Sequence, residues 1–353
     1  MYSLKQINEA VRGDPAAFAL ACDALFEKKV EDAARKIADH RSESRIILLS
    51  GPSGSGKTTT ALKIEEKLVE MGLETHTISM DNYFKTMDPE TFPRNREGAI
   101  DYESPFCLDV DLLNRHFAML DRGELIHVPK YEFARQMRSD IFARPLRLGK
   151  DDMVIFEGIH ALNDIIVGKH PRAFKLYIAA RSDILAQPMR LGADEMVIFE
   201  GIHALNDIIV GKNPEAFKLY IAARSGIRDE DGSVVFDKSW VRLCRRIVRD
   251  FKFRGSDASF TLKLWENVRR GERLYISPYK ENADLMFDSS LALSASALKP
   301  FVVPLLEELP RGKYQVVEDI LRGLERIEPL DEKYIPAKSL SREFIGGSPY
   351  DNH

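Results

Sequence analysis

A chain of 353 residues can bury a sizeable core, and 44% apolar with 30% charged residues is ordinary for a soluble globular protein rather than a fibrous or disordered one. A formal net charge of −4 leaves no basic footprint, which disfavours bulk nucleic-acid binding. Cys22, Cys107 and Cys244 are scattered and odd in number, no apolar run approaches about 18 residues, and the start MYSLKQINEAV has no basic-then-apolar leader, so the expectation is a cytoplasmic protein without disulfides or membrane spans.

Residues 1–43 place apolar side chains at three- and four-residue spacings, which predicts a helical segment packed on the core. Next comes RIILLSGPSGSGKTTTALKIEEKLVEMG, an apolar strand, a Gly/Ser turn and a helix of period near 3.6. THTISMDNYF predicts a second strand ending in polar residues, and SPFCLDVDLLNRHFAMLDRGE a helix. IHVPKYEF and RPLRLG read as the arms of a hairpin, MVIFEG and FKLYIAA as buried strands, and SWVRLCRRIVRDFKFRG as a basic helix. Strands alternating with helices predict an α/β fold with a parallel sheet covered on both faces. The expected division is a helical segment at 1–43, a catalytic domain at 44–295 and a C-terminal helical extension at 296–353.

Gly51-Pro-Ser-Gly-Ser-Gly56-Lys57-Thr58 satisfies G-x-x-x-x-G-K-[ST] at every fixed position, between a strand and a helix as the motif requires. Glycines let backbone N–H groups curl around phosphate oxygens, and the helix N-terminus adds a positive dipole. Gly51, Ser53, Gly54, Ser55, Gly56, Lys57, Thr58 and Thr59 are therefore the predicted cradle for a nucleoside triphosphate, with Lys57 on the β- and γ-phosphates and the Thr58 hydroxyl on Mg²⁺. No [NT]-K-x-D string marks a guanine site, and a small-molecule kinase fits better than a switch GTPase.

Such a kinase needs a base, a metal-side acid and cations over the phosphates. Asp81 ends the second strand, where strand C-termini face the ligand crevice, and is the candidate general base. Glu157 and its copy Glu200 end the MVIFE strands and are the candidate carboxylates toward Mg²⁺. Arg242, Arg245, Arg246 and Arg249 share one helix face, and with Arg254 they are candidates to neutralise charge on the transferring group.

In this order, GPSGSGKTT, SMDNYF, IDYESP, VPKYEF, VIFEGIHAL and RRIVRDFKFRG resemble the uridine kinase and phosphoribulokinase family of P-loop phosphotransferases, over roughly 45–290. The tail IPAKSLSREFIGGS is similar to a bacterial nucleoside-kinase branch. The resemblance implies a P-loop NTPase three-layer doubly wound parallel sheet with a β-hairpin insertion that binds the acceptor, and ATP phosphorylating a ribonucleoside 5′-hydroxyl. It implies Asp81 as base, Glu157 or Glu200 on the Mg²⁺ side, Asp101 on the ribose hydroxyls, and Phe84, Tyr131 and Phe133 walling the nucleoside. Arg245, Arg249 and Arg254 would be lid residues. Gln136 stands where pyrimidine kinases of the family carry a base-reading His, which puts a uridine or cytidine preference in doubt. Ribulose 5-phosphate is the second acceptor class; it needs extra cations, with Arg94, Arg96 and Arg138 the candidates.

Ser139–Arg181 aligns without a gap on Ser182–Arg224, 36 of 43 positions being identical. Each copy carries a hairpin arm, the Glu-bearing strand and the next strand, and a doubly wound sheet has one slot for each. The expected outcome is that one copy fills the sheet and the other loops out. The alternatives are addition to a sheet edge or pairing between protomers of a homo-oligomer, or a disabled site that leaves a nucleotide-binding regulator.

Overall fold

The computed structural model describes residues 1–40, 46–73, 75–94, most of 98–147, 155–157, 175–176, 196–200, 218–275 and 277–350. The N-terminus is helical because its caps and spacing agree. Ser3 accepts from the Gln6 N–H to open α1 (Leu4–Gly13), and Asp14 accepts from the Ala17 N–H with Pro15 in the first turn of α2 (Pro15–Asp39). Cys22, Phe26, Val30, Ala33, Ala34 and Ile37 form the buried face of α2, and the Phe26 ring meets Phe287 edge-on at 5.6 Å. A two-residue strand, β1 (Tyr2–Ser3), joins β10 (Ile227–Arg228) and β11 (Val234–Phe236) in a small sheet.

The main sheet takes its strands from the short apolar runs. β2 (Ile46–Ser50) lies at its centre and feeds α3 (Lys57–Glu70), which crosses to β3 (Thr75–Ser79). β2 is flanked by β8 (Met196–Glu200) and β9 (Lys218–Ala222), β8 in turn pairs with β3, and β9 with β12 (Leu285–Asp288), all in parallel. The chain leaves β2 toward β3 on one side and has β9 on the other, so the order reverses at β2 and a crevice opens beyond its C-terminal end. This is the doubly wound α/β architecture expected from the sequence. β4 (Leu125–Glu132) and β5 (Met137–Arg147) form the expected antiparallel hairpin, with a register shift between Val128 and Lys130. Its second arm begins earlier than RPLRLG.

The duplication has a definite place in this sheet. Strand β8 of the second copy bridges β2 and β3. The equivalent strand of the first copy, β6 (Ile155–Glu157), also pairs with β3, and Thr77 stands opposite both Ile155 and Ile198, the same residue in the two copies. β6 further lies within 8 Å of β2 and β8. Likewise β7 (Lys175–Leu176) of the first copy pairs with its own counterpart in β9. Identical strands carry identical register preferences, so both pair with β3 in the same register, β8 between β2 and β3 and β6 next to β3 at the end of the strand order. The expected looping-out is therefore not what the described residues of the first copy do: they are sheet residues.

After the sheet, Asp237 accepts from the Ser239 N–H and caps the basic helix α4 (Lys238–Arg254), which Gly255 ends in the left-handed region at φ 61°. α5 (Ala258–Tyr275) follows. α6 (Ser294–Glu307), which contains the run LKPFVVPLLE and is buried along Leu298, Val302 and Leu306, α7 (Gln315–Glu325) and the one-turn α8 (Arg342–Ile345) complete the chain. Among the described residues the three cysteines are buried and form no disulfide, and no helix is long and apolar enough to cross a membrane.

Candidate active site

The loop between β2 and α3 wraps tightly because two of its glycines take conformations that other residues avoid. Gly54 has φ 71° and Gly56 φ 78°; a Cβ on Gly54 would lie 2.9 Å from the Arg242 carbonyl oxygen. Lys57, only 2% exposed, donates to the Pro52 carbonyl at 3.1 Å. Gly56 provides α3 with no side-chain cap. The Ser55 hydroxyl is fully buried in the loop and has no protein partner. An orphaned hydroxyl among backbone amides at a helix N-terminus fits an incoming oxyanion and fits a packed structural turn poorly.

The basic helix fixes this loop in place. The Arg242 guanidinium grips the Ser53 carbonyl through Nε at 3.0 Å and a terminal nitrogen at 2.9 Å, pairs with buried Glu272, and sits 5.5 Å from the Trp265 ring. Arg245 donates to the Gly54 carbonyl at 3.4 Å and to the Ser294 hydroxyl at 3.0 Å, and Arg246 to the Ser53 hydroxyl at 2.9 Å. Burial pushes the Arg245 guanidinium down to about 10. Although burial alone would raise it, the guanidiniums of Arg249, Arg246 and Arg254 hold the Asp250 carboxyl below its ordinary value. In this conformation Arg245 is thus a buried support of the loop, and Arg249 and Arg254 rest on Asp250 at 2.7 and 3.5 Å.

Across the crevice, Asp81 lies in a single 3₁₀ turn (Met80–Tyr83) directly after β3, and Glu200 ends β8 opposite Leu49 of β2. Both positions are at the C-terminal edge beside the loop. Glu157 ends β6. The side chains of Asp81, Thr58, Glu157 and Glu200, and all of Phe133, Gln136 and Arg96, lie outside the described residues. Phe84 and Tyr131 do come together, ring centroids 5.5 Å apart at 50°, and the Asn82 side chain accepts from the Tyr131 N–H at 3.3 Å. Asp101 is buried and paired with Arg270 at 3.1 Å. Arg94 donates to the Gly98 and Pro89 carbonyls, and Arg138 pairs with Asp109 at 2.7 Å. Among the described residues no three His, Cys, Asp or Glu side chains cluster as metal ligands. Glu272, Arg270 and, from the C-terminal turn, Glu343 pair with Arg242, Asp101 and Thr59 and are not among the candidates read from the sequence; the three-residue spacing of Arg269 and Glu272 in VRRGE is the local signal for one of them.

Two residues past Asp81, the Tyr83 hydroxyl meets His116 Nδ1 at 2.9 Å. Burial, followed by neighbouring Arg115, lowers the His116 imidazole to about 4. A folded value below the unfolded 6.5 means that the unfolded chain takes up this proton first as pH falls. Stability that is complete above pH 6.5 is then lost down to about pH 4, by at most ~3 kcal/mol. Urea midpoints measured from pH 7 to 4.5 should fall for the parent chain, and a His116→Asn variant should show a flatter profile.

A glycine-shaped anion loop at the switch point of a parallel sheet, backed by an arginine helix, defines the P-loop NTPase class of α/β folds. The chain belongs to the phosphoribulokinase/uridine kinase family, whose model matches residues 46–190 and 175–293, the two matches meeting over the duplication. Uridine kinases of Macrococcus caseolyticus and Staphylococcus aureus are similar at 33% identity over 123 residues and 35% over 125, in each case 35% of this chain. The chain spans about half, 56%, of the length of these curated relatives. A solved structure of a possible uridine kinase from Bacillus stearothermophilus aligns over 74% of this chain and 98% of its own, with 15% identity and a TM-score of 0.40.

Proposed function

We propose that the protein is a Mg²⁺- and ATP-dependent kinase that phosphorylates the 5′-hydroxyl of a ribonucleoside. The observation that carries this is the loop 51–57 with its buried Lys57 and orphaned Ser55 hydroxyl, open to the same crevice edge as Asp81. Thr58 and Glu200, with Glu157 as the alternative from the first copy, would hold Mg²⁺, which when bound supplies charge neutralisation between the phosphates. Loop amides and Lys57 bind and orient the triphosphate. Asp81 accepts the proton of the attacking hydroxyl as that oxygen approaches phosphorus in line. Phe84 and Tyr131 offer aromatic faces to the nucleoside, Asp101 accepts from its ribose hydroxyls, and water exclusion strengthens each charge contact. Arg245, Arg249 and Arg254 serve as lid residues in a closed state, Arg249 and Arg254 leaving Asp250 for phosphate oxygens.

A sugar-phosphate acceptor is less well supported, because Arg94 is engaged by backbone carbonyls and Arg138 by Asp109. A coupled ADP-release assay over a panel of ribonucleosides with ribulose 5-phosphate tests the reading. Turnover with a nucleoside is the expected result. Stimulation by ribulose 5-phosphate alone, or by no acceptor while ATP still binds, would replace it with the sugar-phosphate kinase or the nucleotide-binding regulator.

A further inference from the structure

The C-terminal turn sits on the phosphate loop. One carboxylate oxygen of Glu343 accepts from the Thr59 hydroxyl at 2.8 Å and from the Thr59 N–H at 3.3 Å, and both residues are buried. Thr59 is the third residue of α3, so its N–H is among the first-turn donors left without a helical acceptor and directed at an anion. The same turn seats Leu340 against Gly56, where a Cβ would meet its methyl carbon at 2.4 Å. Phe344 lies 4.9 Å under the Arg245 guanidinium, and Lys252 donates to the Ile345 carbonyl at 2.6 Å. Four residues of one short segment thus touch the loop, the first turn of α3 and the arginine helix.

We propose that the turn 342–345 is a built-in competitor for the nucleotide: the Glu343 carboxylate occupies a phosphate seat on the first turn of α3, and the triphosphate must displace it. This rests on the phosphate-loop reading. An acid capping a helix normally comes from the helix's own first turn; this one arrives from 284 residues away and carries the sign of the ligand's charge. The Ser55 hydroxyl, still orphaned with the tail in place, shows that Glu343 fills only part of the anion site. Gly346 and Gly347 follow at φ 99° and 77°, conformations open mainly to glycine, so the chain leaves the turn through a pair of residues with little torsional restraint. Burial raises the Glu343 carboxyl, as expected of an acid held in a seat built for a different anion.

Calorimetric titration of ATP–Mg²⁺ into the full chain, E343Q and Lys57→Ala tests this. Glutamine keeps the size and an acceptor but removes the charge, so E343Q is expected to bind ATP about tenfold more tightly than the parent. Equal or weaker binding by a folded E343Q, with the parent binding through Lys57, overturns the proposal and leaves the phosphate-loop reading standing. A parent that binds no ATP overturns both. Hydrogen exchange of the unmodified chain provides a check that needs no variant. Exchange at 339–345 should accelerate when ATP binds, and protection or no change there would contradict displacement.

Discussion

Asp81→Asn should lower kcat by about 10²–10⁴-fold while leaving ATP affinity near that of the parent. Asparagine matches the shape of aspartate, still accepts a hydrogen bond, and cannot take a proton. The residue sits in the turn that ends β3, a different element from the helix start that carries Lys57. Nucleotide binding is therefore expected to survive, and the loss should fall on the chemical step, with the acceptor KM changed little. Steady-state kinetics with the preferred acceptor, alongside an ATP titration, measure both quantities. Undiminished turnover would remove Asp81 from the role of base. Equal losses in ATP affinity and kcat would point to a collapsed site rather than to missing proton transfer.

The largest expected effect on stability is at Glu272. Its carboxylate holds Arg242 and Arg269; the side chains of Arg242 and Glu272 are each 6% exposed, while that of Arg269 is 38% exposed. Burial would raise its carboxyl, but Arg242 and then Arg269 outweigh burial and keep it charged. Glu272→Ala removes the buried carboxylate that balances the Arg242 guanidinium, and removing one partner of such a buried pair costs about 3–5 kcal/mol. The exposed pair Arg322–Asp319 is the matched control: Arg322, 70% exposed, can be replaced by Ala for about 0–1 kcal/mol. Urea unfolding of both variants gives the comparison. Because Arg242 also positions the Ser53 carbonyl, Glu272→Ala should weaken ATP binding too, whereas Arg322→Ala should not.

The phosphate loop was legible in the sequence because its chemistry is written in consecutive residues: glycines for the turn, a lysine and a threonine at the helix start, an apolar run before them. The helical N-terminus was legible for a similar reason, since the spacing of Cys22, Phe26, Val30 and Ile37 is itself the buried stripe. The arginine face of α4 could be read as a face. Its environment could not: Arg242, Arg245 and Arg249 are buried at 5%, 1% and 9% exposure against the loop and Asp250, where a basic run is ordinarily solvated. Asp101–Arg270 and Thr59–Glu343 join residues far apart in the chain, and nothing near either partner announces the other. The duplication shows the limit most plainly. Two strands with the same letters have the same preference for β3, so no inspection of either copy assigns the slot. What separates them is connection: the second copy runs on through β9, which pairs with both β2 and β12, before the chain reaches α4.

The measurement closest to the central claim is a titration of ATP–Mg²⁺ into the parent chain and into Lys57→Ala. Saturable binding by the parent and binding about a hundredfold weaker after loss of this buried cation is the predicted outcome. A Lys57→Ala chain that remains folded and binds ATP as tightly as the parent would contradict the account.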